Sequence, residues 1–521
     1  MRRHLRVSLC CCLLLAGCTS FREWFGNGFK VGPDYTPPPA PVAYNWIDAN
    51  DSRVLTTPTD SSHWWTVFED PTLNSLIERA YAQNLDVRSA GARVLQARAE
   101  LGIARGAFFP QRQQASGSFS RNQISRSVAF VAPDAYFDLW TTGFNVAWEV
   151  DVWGRFRRSI ASANANLDAS QFDYDDVIRT LVADVATNYV LIRIFQERIA
   201  FARQSADLQE RLYRKYFTKE KEGSIDVRIV KYIEANLERT RSLIPPLEAA
   251  ARRANNQLCI LLGIPPQDLL SILGESKIPT VPADVVVGIP ADLVRRRPDI
   301  RRAERQLAAQ SELIGVAEAE LYPAFFISGT YNYQAKFFPK LFGPQSVTAS
   351  VGPSFQWNIL NYGRILNNVR LQDARFQELV ANYQNTVLKA AREVEDAIIG
   401  FLKAQEEARD LENAVKAWQV VREKEAIRIN EGKDDPTEIL VVERFKVDDE
   451  QRYAVARGDI ALNLIQTYRA LGGGWQIRLA GDVAPVGGPI PWCEGEMPAE
   501  PSPHPTTAEI PLPPPQKVEK R

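Results

Sequence analysis

Along two short stretches of this chain, apolar and polar positions alternate. Phe144, Val146, Trp148 and Val150 interleave with Asn145, Ala147, Glu149 and Asp151, and Ile327, Gly329, Tyr331 and Tyr333 with Ser328, Thr330, Asn332 and Gln334. A period of two predicts strands whose faces meet different surroundings. Weaker strand candidates lie near 115–125 and 347–357, the second carrying Gly352-Pro353. The longest remaining stretches predict helix. No Gly or Pro interrupts the chain between Gly154 and Gly223, and only Gly400 does so between Gly363 and Gly432. Each run holds about 67 residues, so an unbroken helix reaches ~100 Å at 1.5 Å per residue, too long for a compact domain. Return helices are predicted over about 224–262 and 437–471, with Gly223 and Gly432 as the turns and Pro245-Pro246 breaking the first. A further helix precedes each strand pair, over about 72–107 and 299–321, closed by Pro110 and Pro323.

This order of elements occurs twice because the sequence itself does. Arg88 and Arg301, Gly102 and Gly315, and Pro110 and Pro323 are each 213 positions apart. Trp148 and Trp357, Gly154 and Gly363, Gly223 and Gly432, and Gly263 and Gly472 are each 209 apart. A net deletion of about four residues between Pro323 and Trp357 reconciles the two spacings. The chain reads as a tandem duplication, with copies over 71–283 and 284–475.

Composition narrows the function. Formal net charge is −1 across 521 residues, which argues against nucleic acid as a partner. Three dispersed histidines (His4, His63, His504) offer little to a metal site or a catalytic triad, and no phosphate loop or nucleophile motif occurs. Asp299 and Glu304 read as surface charge. The chain is expected to need no cofactor and to be no enzyme. Four of six cysteines fall within the first eighteen residues, so there is no disulfide framework; Cys259, in an apolar run, is expected to be buried.

At the N-terminus Arg2, Arg3 and Arg6 precede the apolar run Val7–Leu15, which is too short to span a bilayer. The run ends in Leu15-Ala16-Gly17-Cys18, which resembles a bacterial lipoprotein signal: residues 1–17 removed, Cys18 lipidated. Thr19, where inner-membrane lipoproteins usually carry Asp, implies sorting to the outer membrane. Residues 18–70 then form an extended strap and residues 476–521 a Pro-rich tail. With no helix apolar enough to span, a membrane crossing must use strands, and four strands cannot close a barrel in lipid. Three chains supply twelve, a workable even number. Phe108, Phe109, Trp140, Trp153, Tyr322, Phe325, Phe326 and Tyr362 bracket the strands and suit interfacial belts.

Three segments carry a specific resemblance. Lys30-Val31-Gly32-Pro33-Asp34-Tyr35-Thr36-Pro37-Pro38, the run from Ile289 to Leu307 (IPADLVRRRPDIRRAERQL), and Leu261-Leu262-Gly263 are similar to the NodT-type branch of the TolC-like outer membrane factor family. The resemblance spans Cys18 to about Trp475. It implies a mainly α fold with a small β part: a homotrimeric twelve-stranded outer-membrane barrel continuous with an α-helical periplasmic tunnel. It further implies a periplasmic adaptor and an inner-membrane pump, usually of the resistance-nodulation-division type, as partners. A type I protein secretion duct and a lipid-anchored coiled-coil scaffold are the competing readings.

Function is expected to concentrate at the hairpin tips. Gly223, Ser224, Gly432 and Lys433 are the expected adaptor contacts. Glu438, Asp434 and Asp435 are candidate gate acids; a lumen-facing acid, tripled in a trimer, forms a ring. The alternative for these acids is helix capping. Glu438 matches an acidic gate position of the family, but Val441 stands where relatives often have Asp. Asp434 replaces an Arg that locks some relatives, so an inverted pair of Asp434 with Arg228 is expected.

Overall fold

The computed structural model describes residues 21–57, 61–123, 125, 136–274, 276–431 and 437–479. The first half contains α1 (Phe21–Gly26), β1 (Val54–Leu55), α2 (Pro71–Gln83), α3 (Leu85–Gly106), β2 (Arg112–Gln123), β3 (Tyr136–Val150), α4 (Arg155–Lys221), α5 (Val227–Arg241) and α6 (Ile244–Leu261). There follow α7 (Leu270–Leu273), β4 (Val285–Val286), α8 (Asp292–Arg296), α9 (Pro298–Ala319), β5 (Ala324–Ala335), β6 (Val347–Gln356), α10 (Arg364–Asn430) and α11 (Glu438–Ala470).

Helices α4 and α10 are each 67 residues long and unbroken. Both start at a glycine in the left-handed region, Gly154 at φ 83° and Gly363 at φ 80°. At Gly154 a Cβ would strike Lys30, so the close approach also demands glycine there. The return helices lie against them, α11 on α10 and α5 with α6 on α4, while α11 also packs on α4. The first return is interrupted at Ser242–Leu243, ahead of Pro245 and Pro246 in the first turn of α6, where their missing N–H groups do no harm.

The helix expected over 72–107 is two helices. Asn84 ends α2 and caps α3, its side chain accepting from the Asp86 and Val87 amides at 2.8 and 3.0 Å. The same side chain donates to the Leu261 carbonyl at 2.9 Å. In the second copy Arg297 caps α9 and donates to the Ala470 carbonyl at 2.7 Å. Two residues beyond each accepting carbonyl stands a left-handed glycine, Gly263 at φ 69° and Gly472 at φ 81°. A Cβ there would lie 2.6 Å from the Gln83 carbonyl or 3.0 Å from Arg297 Cα. A second pair of matching bonds ties strand to helix: Trp148 Nε1 donates to the Phe108 carbonyl, and Trp357 Nε1 to that of Leu321. The duplication is thus written in hydrogen bonds as well as in element order.

Strands β2, β3, β5 and β6 form one antiparallel sheet in that order. Its register sorts side chains by face. Gln114, Asn145, Thr330 and Ser350 form one row across all four strands; Ala115, Phe144, Tyr331 and Ala349 form the next. One face therefore carries Trp140, Phe144, Val146, Trp148, Ile327, Tyr331, Val351 and Phe355. The other carries mainly Ser, Thr, Asn and Gln with Arg112 and Glu149, and Phe137, Leu139 and Phe326 are its large apolar exceptions. Phe119, Phe355 and Val351 on the first face are more than half exposed.

The segment expected to be an extended strap is bound along its length. The Val31 amide donates to the Trp153 carbonyl at 3.0 Å. Fully buried Arg158 donates to the carbonyls of Val31 and Gly32 and pairs with Glu312 at 2.8 Å. Gly32 and Gly315 meet backbone to backbone. Further on, Trp46 Nε1 donates to the Gly288 carbonyl at 3.0 Å, and β1 pairs in parallel with β4. The Lys30–Pro38 motif is thus a docking segment. Asp299, expected at the surface, is mostly covered: it pairs with buried Arg297 at 2.7 Å, and Arg297 also meets Glu393 at 2.9 Å. Cys259 is fully buried, as expected.

Candidate functional site

The turn between α4 and α5 follows from its glycine. Gly223 adopts φ 71°, its amide bonding the Glu220 carbonyl and that of Ser224 the Lys219 carbonyl, at 2.8 and 2.9 Å. A Cβ on Gly223 would meet nothing within 4 Å, so the tip is open and only backbone conformation selects the glycine. Asp226 caps α5, accepting from the Arg228 amide at 2.8 Å, and its carboxylate also holds the Arg228 guanidinium at 2.7 Å. That charge holds the Asp226 carboxyl below its ordinary range. Arg228 is thus engaged within its own helix start. Asp at the cap with Arg two residues on is the sequence signal for this local pair; the expected partner Asp434 lies outside the described residues.

Glu438 occupies the first turn of α11 and is exposed. Asp434, Asp435, Gly432 and Lys433 lie outside the described residues, as does Cys18. The structure therefore brings Gly223, Ser224 and Arg228 to one tip and Glu438 to the start of the facing return helix.

Just inside the tip, Tyr216 from α4, Val230 and Ile233 from α5, and Ile439 and Leu440 from α11 form one buried apolar cluster. Partly buried Ala426 and Ile429 of α10 complete it. All four helices are joined there. The next layer is charged, which the sequence reading missed. Glu443 is 1% exposed and meets Arg422 Nε of α10. Lys446 pairs with Glu450 at 2.7 Å, and both are buried. Burial holds the Glu443 carboxyl above its ordinary value, although Lys446 and Arg422 pull it down. The clue was positional: Glu443, Lys446 and Glu450 share the helical face of Leu440, Val447 and Ala454. Outside this layer Trp418 stacks on Phe445 at 5.4 Å and donates to Asp449 at 2.8 Å.

Among the described residues there is no His/Cys/Asp/Glu group fit to hold a metal ion. No described helix is long and apolar enough to cross a membrane. What the geometry offers is a surface: a two-faced sheet joined to two very long helical hairpins.

Comparison with known proteins agrees. The family profile described as "Outer membrane efflux protein" matches residues 76–264 and 289–473. The chain is similar to Nodulation protein T of Rhizobium leguminosarum bv. trifolii, 31% identical over 409 residues, covering 77% of this chain and 85% of that protein. It is also similar to the pyoverdine export outer membrane protein OpmQ of Pseudomonas aeruginosa, 28% identical over 484 residues, covering 89% and 96%. Among solved structures, the outer-membrane channel OprN superposes with a TM-score of 0.80 at 31% identity, covering 86% of this chain and 99% of that one. With the family profile matching well over half of its length, the chain belongs to the outer membrane efflux proteins, a family of outer-membrane transport ducts and not of enzymes.

Proposed function

We propose that three copies of this chain close a twelve-stranded barrel in the outer membrane and continue it as a helical tunnel. In this reading the duct is the exit of a tripartite efflux system. The observation that carries the proposal is the register of the sheet. Strands β3, β5 and β6 share one mainly apolar and one mainly polar face. Strand β2 adds Ala115 and Phe119 to the first and Ser116, Ser118 and Ser120 to the second. Among the described residues both edge strands, β2 and β6, have one side unpaired. A lipid-facing sheet cannot leave such edges open. The strands alternate in direction, so β6 of one copy meets β2 of the next antiparallel, the apolar face turned to lipid and the polar face to the lumen. A coiled-coil scaffold has no use for such a sheet.

The tips at Gly223, Ser224, Gly432 and Lys433 are proposed to meet a periplasmic adaptor, itself joined to a pump of the resistance-nodulation-division type. Glu438, with Asp434 and Asp435, is proposed to line the closed end, near Arg228. Cys18 is proposed to carry the lipid. The domain limits proposed are 18–70 for the strap, 71–283 and 284–475 for the two copies, and 476–521 for the tail.

Native mass spectrometry of the detergent-extracted chain tests the assembly. A protein-only mass of three chains, with discrete conductance steps in a planar bilayer, is the expected result. A monomer across several mild detergents would overturn the proposal.

A further inference from the structure

Two aromatic rings of the segment before Lys30, Phe25 and Phe29, are exposed, and none of the described residues buries them. Phe25 is 63% exposed and Phe29 45%. Neither is loosely held. Trp24, between them and the body, packs on Trp153 at 5.5 Å and on Phe29 at 4.8 Å, and donates its indole N–H to the Val152 carbonyl at 3.3 Å. Arg157 donates to the carbonyls of Gly28 and Phe29 at 2.6 and 2.7 Å. The Phe29 amide closes back on the Trp24 carbonyl at 2.8 Å. Phe29 itself sits at φ 61°, in the left-handed region that a bulky residue seldom enters. These hydrogen bonds and ring contacts hold the backbone and Trp24, while exposed Phe25 meets Phe29 edge to face at 5.3 Å.

The position of this patch says what covers it. Val152 and Trp153 directly follow β3 and precede α4, so the patch lies at the junction of sheet and tunnel. Exposed Phe109 lies at the same end of the sheet, just before β2. Phe25 stands only seven positions after Cys18, a reach of at most about 25 Å even fully extended. A lipid on Cys18 must lie in the bilayer, so the rings beside it are held at that bilayer's surface. Arg22, also exposed, adds a cation suited to phospholipid headgroups.

We propose that Phe25 and Phe29 form an aromatic foot that inserts into the periplasm-facing phospholipid leaflet at the rim of the barrel. Trp24 and Arg157 bolt this foot to the sheet–tunnel junction. The lipid on Cys18 tethers the chain; the foot sets the height of the barrel relative to that leaflet. The inference rests on the outer-membrane reading above, and its test separates the two.

The full-length protein, with Cys493→Ser and Cys259 left buried, is given one cysteine at a time: Phe25→Cys, Phe29→Cys, Val351→Cys on the apolar sheet face, or Leu243→Cys at the exposed break of the return helix. Each is labelled with an environment-sensitive fluorophore and reconstituted into phosphatidylethanolamine–phosphatidylglycerol vesicles containing nitroxide-labelled lipid. Loss of fluorescence at 25 and 29 comparable with that at 351, and none at 243, is expected. No loss at 25 and 29 beside clear loss at 351 would overturn the foot and leave the barrel standing. Loss at neither 25, 29 nor 351 would overturn both; loss at 25 and 29 alone would keep the foot and sink the barrel.

Discussion

A single buried acid shows how residue chemistry bears on this duct. Glu443 lies almost wholly buried among α10 and α11, beside Arg422 and Lys446, yet burial outweighs both cations and raises its pKa above the ordinary 4.5. An acid raised in the fold binds its proton more tightly folded than unfolded. Its contribution is therefore fully present below the unfolded value and is lost as pH rises through the raised folded one. Glu443→Gln, a neutral isostere, should keep that contribution at pH 8. The expected outcome is a thermal midpoint ~1–3 °C above wild type at pH 8 and no gain at pH 4, followed by helical circular dichroism. Glu443→Ala, which leaves a cavity, should fall below wild type at both. A drop with Gln at pH 8 as large as with Ala would mean that the ion pair outweighs burial.

At the scale of elements, the sheet's two faces make opposite demands on neighbouring residues. Val351 is 82% exposed on the apolar face; Ser350, beside it in β6, lies on the polar face and hydrogen-bonds Thr330 at 2.9 Å. Val351→Arg should cost about 2–4 kcal/mol per chain at mid-bilayer and abolish the proposed trimer in native mass spectra. Ser350→Arg should leave the oligomer intact and shift conductance and ion selectivity instead. Equal effects of the two would contradict the assignment of faces. These strands were legible in the sequence because period two survives on a half-buried surface, and the long helices because Gly154 and Gly363 start them and Gly223 closes the first by backbone conformation, a local property. The break at Asn84 was not: its side chain is held by the Leu261 carbonyl, 177 residues away, and no capping-box Glu follows it. Asp299 was misread for the same reason, since its burial beside Arg297 comes from α10 and α11. Of the site, the turn at Gly223 was readable, and the local pairing of Arg228 with Asp226 adds a partner that the expected pair with Asp434 did not include. The layer around Glu443 was hidden because charged residues at core spacing look like surface until their neighbours are known.

At the scale of the whole molecule, the question is how two hairpins joined by one packed cluster near their tips could open. The cluster of Tyr216, Val230, Ile233, Ile439 and Leu440 is shared by both hairpins, and the charged layer of Glu443, Lys446 and Glu450 lies directly behind it. In the proposed trimer, opening the periplasmic end requires the hairpins to shift against each other or to move together. If they shift, this cluster is what must yield, and weakening it favours the open state. Ile439→Ala removes a buried side chain worth about 2–5 kcal/mol per chain, three times over in a trimer. The expected outcome is a larger open fraction in planar-bilayer recordings and easier entry of bulky antibiotics into cells carrying the variant. Glu438→Gln, next to it but exposed, leaves the packing untouched; it should reduce cation preference without raising the open fraction. Were Ile439→Ala to lower the thermal midpoint and leave conductance unchanged, the two hairpins of a chain would move as one body. The gate of the proposed trimer would then lie between neighbouring chains.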